Sequence, residues 1–228
     1  RSGASDPHRH DEAGDDRQSV VEVVRAKETM HSCRCRVREH VDHQLWGRHG
    51  VRHIGRHGLP GVHRAGHQLA TGLPTSNILV RVTGNIRSDI YGTIQTTDFV
   101  NANLFFMNPY GFLFGPNATV NVSGMVAFTS ADYLRLADVG GGHAGIFRAD
   151  QAQASILTNA PIAAFGFIGS NPAAIRVEGS TLTLAAGTGL SLVGGDISIG
   201  ADPQSETSAF ISAPGGHIDL VSVASPGE

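Results

Sequence analysis

Four apolar pairs stand in close succession in the second half of the chain: Ile175 and Val177, Leu182 and Leu184, Leu190 and Leu192, Ile197 and Ile199. A polar residue separates the two members of each pair, so both point to the same side of an extended strand. The pairs begin seven, eight and seven residues apart, so three strands consume 22 residues. Gly179, Gly187-Thr188-Gly189 and Gly194-Gly195 punctuate them. Strands this short bury one inward face only by stacking on copies of themselves, and three strands per repeat is the size of one coil of a three-sided solenoid. The spacing therefore predicts an all-β chain, a single-stranded parallel β-helix. A β-sandwich also uses short alternating strands, but the Asn-Gly and Asp-Gly hairpin turns that join them are missing between these runs.

Composition agrees with a turn-rich, low-charge fold: charged residues are 16% of the chain and glycines number 29. The chain divides into two regions of different character, 1–72 and 73–228. The first holds 12 Lys and Arg against 9 Asp and Glu, a net +3, and the second holds 5 against 11, a net −6. The larger region lacks the basic stripe that nucleic acid requires. Cys33 and Cys35 are the only cysteines, so neither a disulfide scaffold nor a thiol catalyst is available beyond them. No run of about 18 apolar residues is present to insert in a membrane as a helix. The first residue is Arg1, no apolar leader follows, and Ser225-Pro226-Gly227-Glu228 ends a strand-like run without a cap. These features read as a fragment, truncated at its carboxyl-terminal end.

Residues 1–72 carry 10 of the 12 histidines and none of the Phe or Tyr. Val20 to Arg25 offers a short strand or helix, and Val37 to Leu45 one weak helix. Beyond Gly47 the chain cycles through Arg, His and Gly with no helical or strand period, and poor order is expected. His49, His53 and His57 are four apart, a spacing that would put three imidazoles on one helical face and make them candidate metal ligands. Gly50, Gly55 and Gly58 oppose that helix. The plainer readings are a solvated linker, or an out-of-frame translation of GC-rich coding sequence, which yields Arg, His and Gly. No cofactor is expected.

The most informative segment runs from Asn101 to Ala118: Asn101-Ala102-Asn103-Leu104, a strand to Met107, Asn108-Pro109-Tyr110-Gly111, a strand to Phe114, then Gly115-Pro116-Asn117. Proline presets φ and glycine tolerates positive φ, so the two corners have few alternative shapes. The segment resembles the haemagglutination-activity, or filamentous haemagglutinin N-terminal, domain of two-partner secretion proteins. Asn101, Asn103 and Leu104 match that family's first element, and Asn108, Pro109, Gly111, Phe114 and Gly115 its second. Tyr110 stands where the family pattern has another asparagine. Ile78 to Gly84 and Ile90 to Ile94 resemble the preceding strands, with Tyr91 where an acid is common. Asn121 to Gly124, Phe128 to Ser130, Leu192 to Asp196 and Ala213 to Ile218 follow in the family's order. The likeness covers residues 75–225.

The resemblance implies a right-handed parallel β-helix, a pectin-lyase-like solenoid, that labels a large exoprotein for export from a Gram-negative-type bacterium, to the cell surface or the medium. Its partner would be an outer-membrane transporter whose periplasmic POTRA domains read the label, the motif residues serving recognition or turn formation. Contact with a host or neighbouring cell would fall to passenger sequence absent here. The rival functions are a carbohydrate-cleaving solenoid and a module that itself binds glycans or a cell surface. The first needs carboxylates converging on one face, whereas Asp89, Asp132, Asp150, Glu178 and Asp219 are scattered along the chain. No catalytic residue is assigned.

Overall fold

The computed structural model describes residues 19–24, 75–96, 99–138, 140, 144–158 and 160–228. The candidate helix at Val37 to Leu45 and the histidines His49, His53 and His57 lie outside the described residues. So does all of 1–72 apart from one strand.

Parallel strands wind into a β-solenoid of about five turns, with no helix among the described residues. The first turn contains β2 (Thr75–Arg81), β3 (Ser88–Ile90) and β4 (Thr93–Gln95), and the second β5 (Asn103–Met107), β6 (Phe112–Phe114) and β7 (Thr119–Asn121). The third turn begins with β8 (Val126–Thr129), leaves the solenoid for β9 (Tyr133–Leu136), β10 (Ile146–Arg148) and β11 (Ile162–Gly166), and returns at β12 (Ile175–Glu178) and β13 (Thr181–Thr183). Next come β14 (Leu190–Gly194), β15 (Ile197–Gly200) and β16 (Phe210–Ser212), and β17 (Ile218–Ser222) opens the last turn. A further strand, β1 (Ser19–Val24), lies parallel to β2 at the edge of the first face; its valine-rich run takes the strand option of the two the sequence leaves open.

Three faces result. The first is a sheet in the order β1-β2-β5-β8-β14-β17, and the second has the order β15-β12-β6-β3. On the third, β4 pairs with β7 and β13 with β16, and β7 lies against β13. The predicted coil length appears at two steps, where Leu104 registers with Val126 and Ile175 with Ile197, each 22 residues on; elsewhere the coils are longer, Ile78 registering with Leu104 after 26 residues and Leu190 with Ile218 after 28. Across the third turn Val126 registers with Leu190, an offset of 64.

The extra length is the antiparallel sheet β10-β9-β11, which the period of the sequence does not anticipate. It packs on the outside of the first face, giving that face two cores. Inside, Ile78, Leu104, Phe106, Phe112, Phe114, Val126, Phe128, Ile175, Leu190 and Leu192 form the solenoid interior. Outside, Leu79, Phe105, Met107 and Ala127 meet Leu134, Leu136 and Phe147 of the extra sheet. A strand buried on both sides needs apolar residues at every position, which is why Leu104-Phe105-Phe106-Met107 does not alternate. On the third face β4, β7 and β13 do alternate, with only the central residue buried. Arg81 fastens the extra sheet: its guanidinium lies 5.2 Å from the centre of the Phe147 ring and donates to the Arg148 carbonyl at 2.7 Å.

Candidate functional site

The Asn108-Pro109-Tyr110-Gly111 corner joins the first face to the second in turn two. Asn108 is fully buried there. Its Nδ2 donates to the Ile86 carbonyl at 3.0 Å and to Ser88 Oγ at 2.8 Å, both in the turn below. Its Oδ1 accepts from the Tyr110 amide at 2.9 Å, and its carbonyl accepts from the Gly111 amide at 2.9 Å, closing the turn. Its own amide donates to the Thr129 carbonyl in the turn above at 2.9 Å. One side chain therefore fixes its own corner and ties it to its neighbour, and an amide does this because it offers donors and an acceptor together.

Gly111 has φ +88, and a Cβ placed on it would lie 2.3 Å from the Ala174 carbonyl oxygen. Gly111→Ala should cost about 2–4 kcal/mol, combining the left-handed backbone with a forced shift of the stacked turn. Gly187, with φ +79 but open space around it, supplies the control: Gly187→Ala should cost about 1–2 kcal/mol from the backbone alone. Urea unfolding of the two variants checks this, and equal losses would mean that the approach to Ala174 carries no penalty. Gly115 answers a different need, because its Cβ would fall 2.1 Å from a ring carbon of Tyr91.

The remaining motif residues occupy varied places. Asn103 Nδ2 donates to Asn77 Oδ1 at 3.2 Å, and its Oδ1 accepts from the Met125 amide at 3.1 Å, a three-turn ladder. Leu104 and Phe114 are interior. Asn101 is exposed with φ 58, Pro109 is half-buried, and Tyr110 is 47% exposed. Of the motif set proper, Asn101, Asn103 and Pro109 offer appreciable surface, and the others are buried. Asn108, Pro109 and Gly111 form one corner, Phe114 and Gly115 lie at the next, beyond β6, and Asn101 and Asn103 stand at the preceding one.

Beside the Asn108 corner runs a groove of about 380 Å³, walled on one side by Thr83, Asn85 and Tyr110 and on the other by Asp132, Arg148 and Asp150 of the extra sheet and its loops. Asp132 and Asp150, far apart in sequence, thus share one concavity, which spacing along the chain does not reveal. Among the described residues, the clear shifts in proton affinity fall elsewhere. Hydrogen bonds from the Tyr133 hydroxyl and Arg135 hold the Glu228 carboxyl below its usual range and raise the Tyr133 hydroxyl in turn. Hydrogen bonds from Ser205 lower Asp202, and a hydrogen bond to Asp89 raises Arg87. None of these groups lines the groove. Among the described residues, no group of three or more His, Cys, Asp or Glu side chains is arranged to hold a metal ion.

The family model of the TPS secretion domain matches residues 47–228. The chain belongs to the TPS, or two-partner secretion, domain family. No curated protein and no solved structure matches it. As a TPS secretion domain it carries the export label of a secreted exoprotein of a Gram-negative bacterium, and the protein it engages is a two-partner secretion transporter. The domain type is non-catalytic. The match agrees with the motif resemblance and reaches further toward the amino terminus, into the His- and Arg-rich region.

Proposed function

We propose that this TPS domain is read in the periplasm by the POTRA domains of its transporter while its chain is still open, and that it nucleates the solenoid once outside. It is not an enzyme in this reading, and the motif residues Asn101 to Gly115 act chiefly at the two stages of pairing and closure. The observation that carries the order of events is the position of the motif strands. β5 lies between β2 and β8, and β6 between β3 and β12, so neither has a free edge in the closed solenoid. Addition of a partner strand requires unpaired backbone groups, and these strands have them only before closure. The absence of cysteine from residues 73–228 fits passage through an oxidising periplasm as an extended polymer. Outside, each added turn buries apolar area at roughly 25 cal/mol per Å² and opposes return.

The test is a pull-down of the full chain on immobilised POTRA domains of the cognate transporter, diluted from urea or presented folded. The freshly diluted chain should be retained and the folded chain should not. Replacing Asn108 and Gly111 together should reduce retention of the diluted chain. Equal retention of folded and diluted chain, or no effect of the double substitution, would remove the proposal's support.

A further inference from the structure

Beyond β17 the chain runs outward to the extra sheet, and three kinds of contact hold it there. Val223, whose amide donates to the Gly194 carbonyl at 2.6 Å, packs against the cluster of Ala131, Phe167 and Val193 on the outside of the first face. Gly227 and Phe167 exchange two backbone hydrogen bonds, at 2.8 and 2.9 Å. Glu228 Oε1 accepts from the Tyr133 hydroxyl at 2.8 Å, and its Oε2 accepts from Arg135 Nε at 2.8 Å. The sheet is shaped to be held this way. In the order β10-β9-β11, the strand β11 has a neighbour on one side and a free edge on the other. Gly166 and Ile168 bond toward Asp132, and Phe167 between them turns its backbone the other way, to Gly227. Gly166 and Ala164 stand opposite Tyr133 and Arg135 of β9. A Cβ on Gly166 would fall on the Tyr133 ring, so the ring lies across β11 and carries its hydroxyl to Glu228.

We infer that residues 223–228 are a latch: once β17 has docked on β14, they close the free edge of β11 and hold the extra sheet to the first face. The order is set by position, because the latch follows β17 directly and reaches Phe167 only when β17 lies in register with β14. A sheet that leaves the solenoid in the third turn thereby receives contacts from the last. An exposed ion pair by itself contributes little, but this carboxylate is gripped by two donors that β9 holds side by side on one face of the sheet. What the clip secures is the backbone pairing beside it, since an unpaired strand edge is open to addition of another chain. Opening of the latch is a local event that leaves the solenoid interior folded. It belongs to the closed domain and does not rest on the reading by POTRA domains.

The experiment follows hydrogen exchange at the Phe167 and Gly227 amides by NMR in the full folded chain, with the amides of β5 as reference. Glu228→Lys, which sets a cation beside Arg135, should speed exchange at both amides about tenfold and leave β5 unchanged. Gly166→Ala, at a position without positive φ, should act to a similar extent by pushing the Tyr133 ring aside, and Tyr133→Phe should give about threefold. Gly166→Ala and Glu228→Lys combined should exchange no faster than the faster of the two alone, because both open one clip. If Gly166→Ala does not fold, Tyr133→Phe takes its place in the pair. Unchanged exchange at Phe167 and Gly227 in Glu228→Lys overturns the latch. So do effects that multiply in the combined variant, or an acceleration that reaches β5 equally.

Discussion

Asn108→Asp should destabilise the folded domain by about 3 kcal/mol or more at pH 8, although it changes one atom of the side chain. The acceptor that Asn108 turns toward the Tyr110 amide survives in aspartate. The donor does not. A carboxylate oxygen would replace Nδ2 at 3.0 Å from the Ile86 carbonyl, acceptor against acceptor, at a position with no exposure to water. An ionised group there keeps the Tyr110 amide and can take the Ser88 hydroxyl as a donor, but among the described side chains around it no cation offsets its burial or its repulsion from the Ile86 carbonyl. Protonation relieves the conflict, since the neutral acid can donate to the Ile86 carbonyl. Burial raises the folded-state pKa of this aspartate above its unfolded value of about 3.9, so the proton stabilises the fold below that value, and this contribution disappears as pH rises through the folded pKa. Urea unfolding of the variant should therefore approach the parent near pH 4 and fall furthest from it at pH 8. A deficit that does not depend on pH, or one under about 0.5 kcal/mol at pH 8, would mean that the corner admits water and that Asn108 is not held as described. Asn108→Ala separates geometry from charge: it leaves the Ile86 carbonyl and the Tyr110 amide unsatisfied and should cost about 2–3 kcal/mol at either pH.

The parts of this fold that could be read from sequence are those whose information is local and periodic. The apolar pairs from Ile175 to Ile199 fall on strands, with Leu184 one residue past the end of β13, and the 22-residue coil appears in the register of β12 with β15. The turn glycines were recognisable as turn formers, but the reasons they cannot be replaced were not. The Ala174 carbonyl that excludes a Cβ at Gly111 arrives from the next turn, 63 residues later in the chain. The detour through β9, β10 and β11 was equally hidden, because Tyr133-Leu134-Arg135-Leu136 alternates like any solenoid strand and period two does not say which sheet a strand joins. A signal for it was present elsewhere. Unbroken apolar runs at Ile78-Leu79-Val80 and Leu104 to Met107 demand cover on both sides of the first face, and a solenoid wall ordinarily covers one. The groove followed from the same detour, so Asp132 and Asp150 looked scattered when only their sequence positions were considered.

Phe128→Ala should cost about 3–5 kcal/mol, a large part of the 5–15 kcal/mol that holds a typical domain folded. Phe128 is fully buried and sits in the ladder between Phe106 of the turn below and Leu192 of the turn above. Its ring centre is 4.8 Å from that of Phe114, 5.6 Å from Phe112 and 5.9 Å from Phe106, so one side chain joins two faces and two turns. Truncation removes these ring contacts together with the buried area, and strands hydrogen-bonded on both sides have little freedom to close over the gap. Position along the solenoid matters as much as magnitude. Stability in a stacked fold is a chain of nearest-neighbour terms, and a weakened third turn interrupts that chain near its middle. Unfolding by urea, followed by circular dichroism, should therefore lose cooperativity as well as midpoint, with a smaller m-value or two resolved steps. Phe128→Leu, which refills most of the space, should retain a single transition with a loss of about 1–2 kcal/mol. Thr119→Ala on the outer side of β7, where the exposed side chain loses one hydrogen bond, to Thr93 Oγ1 at 2.7 Å, should cost no more than about 1 kcal/mol. If Phe128→Ala behaves like Thr119→Ala, the aromatic interior does not hold successive turns together, and closure must draw its stability from the backbone ladders instead.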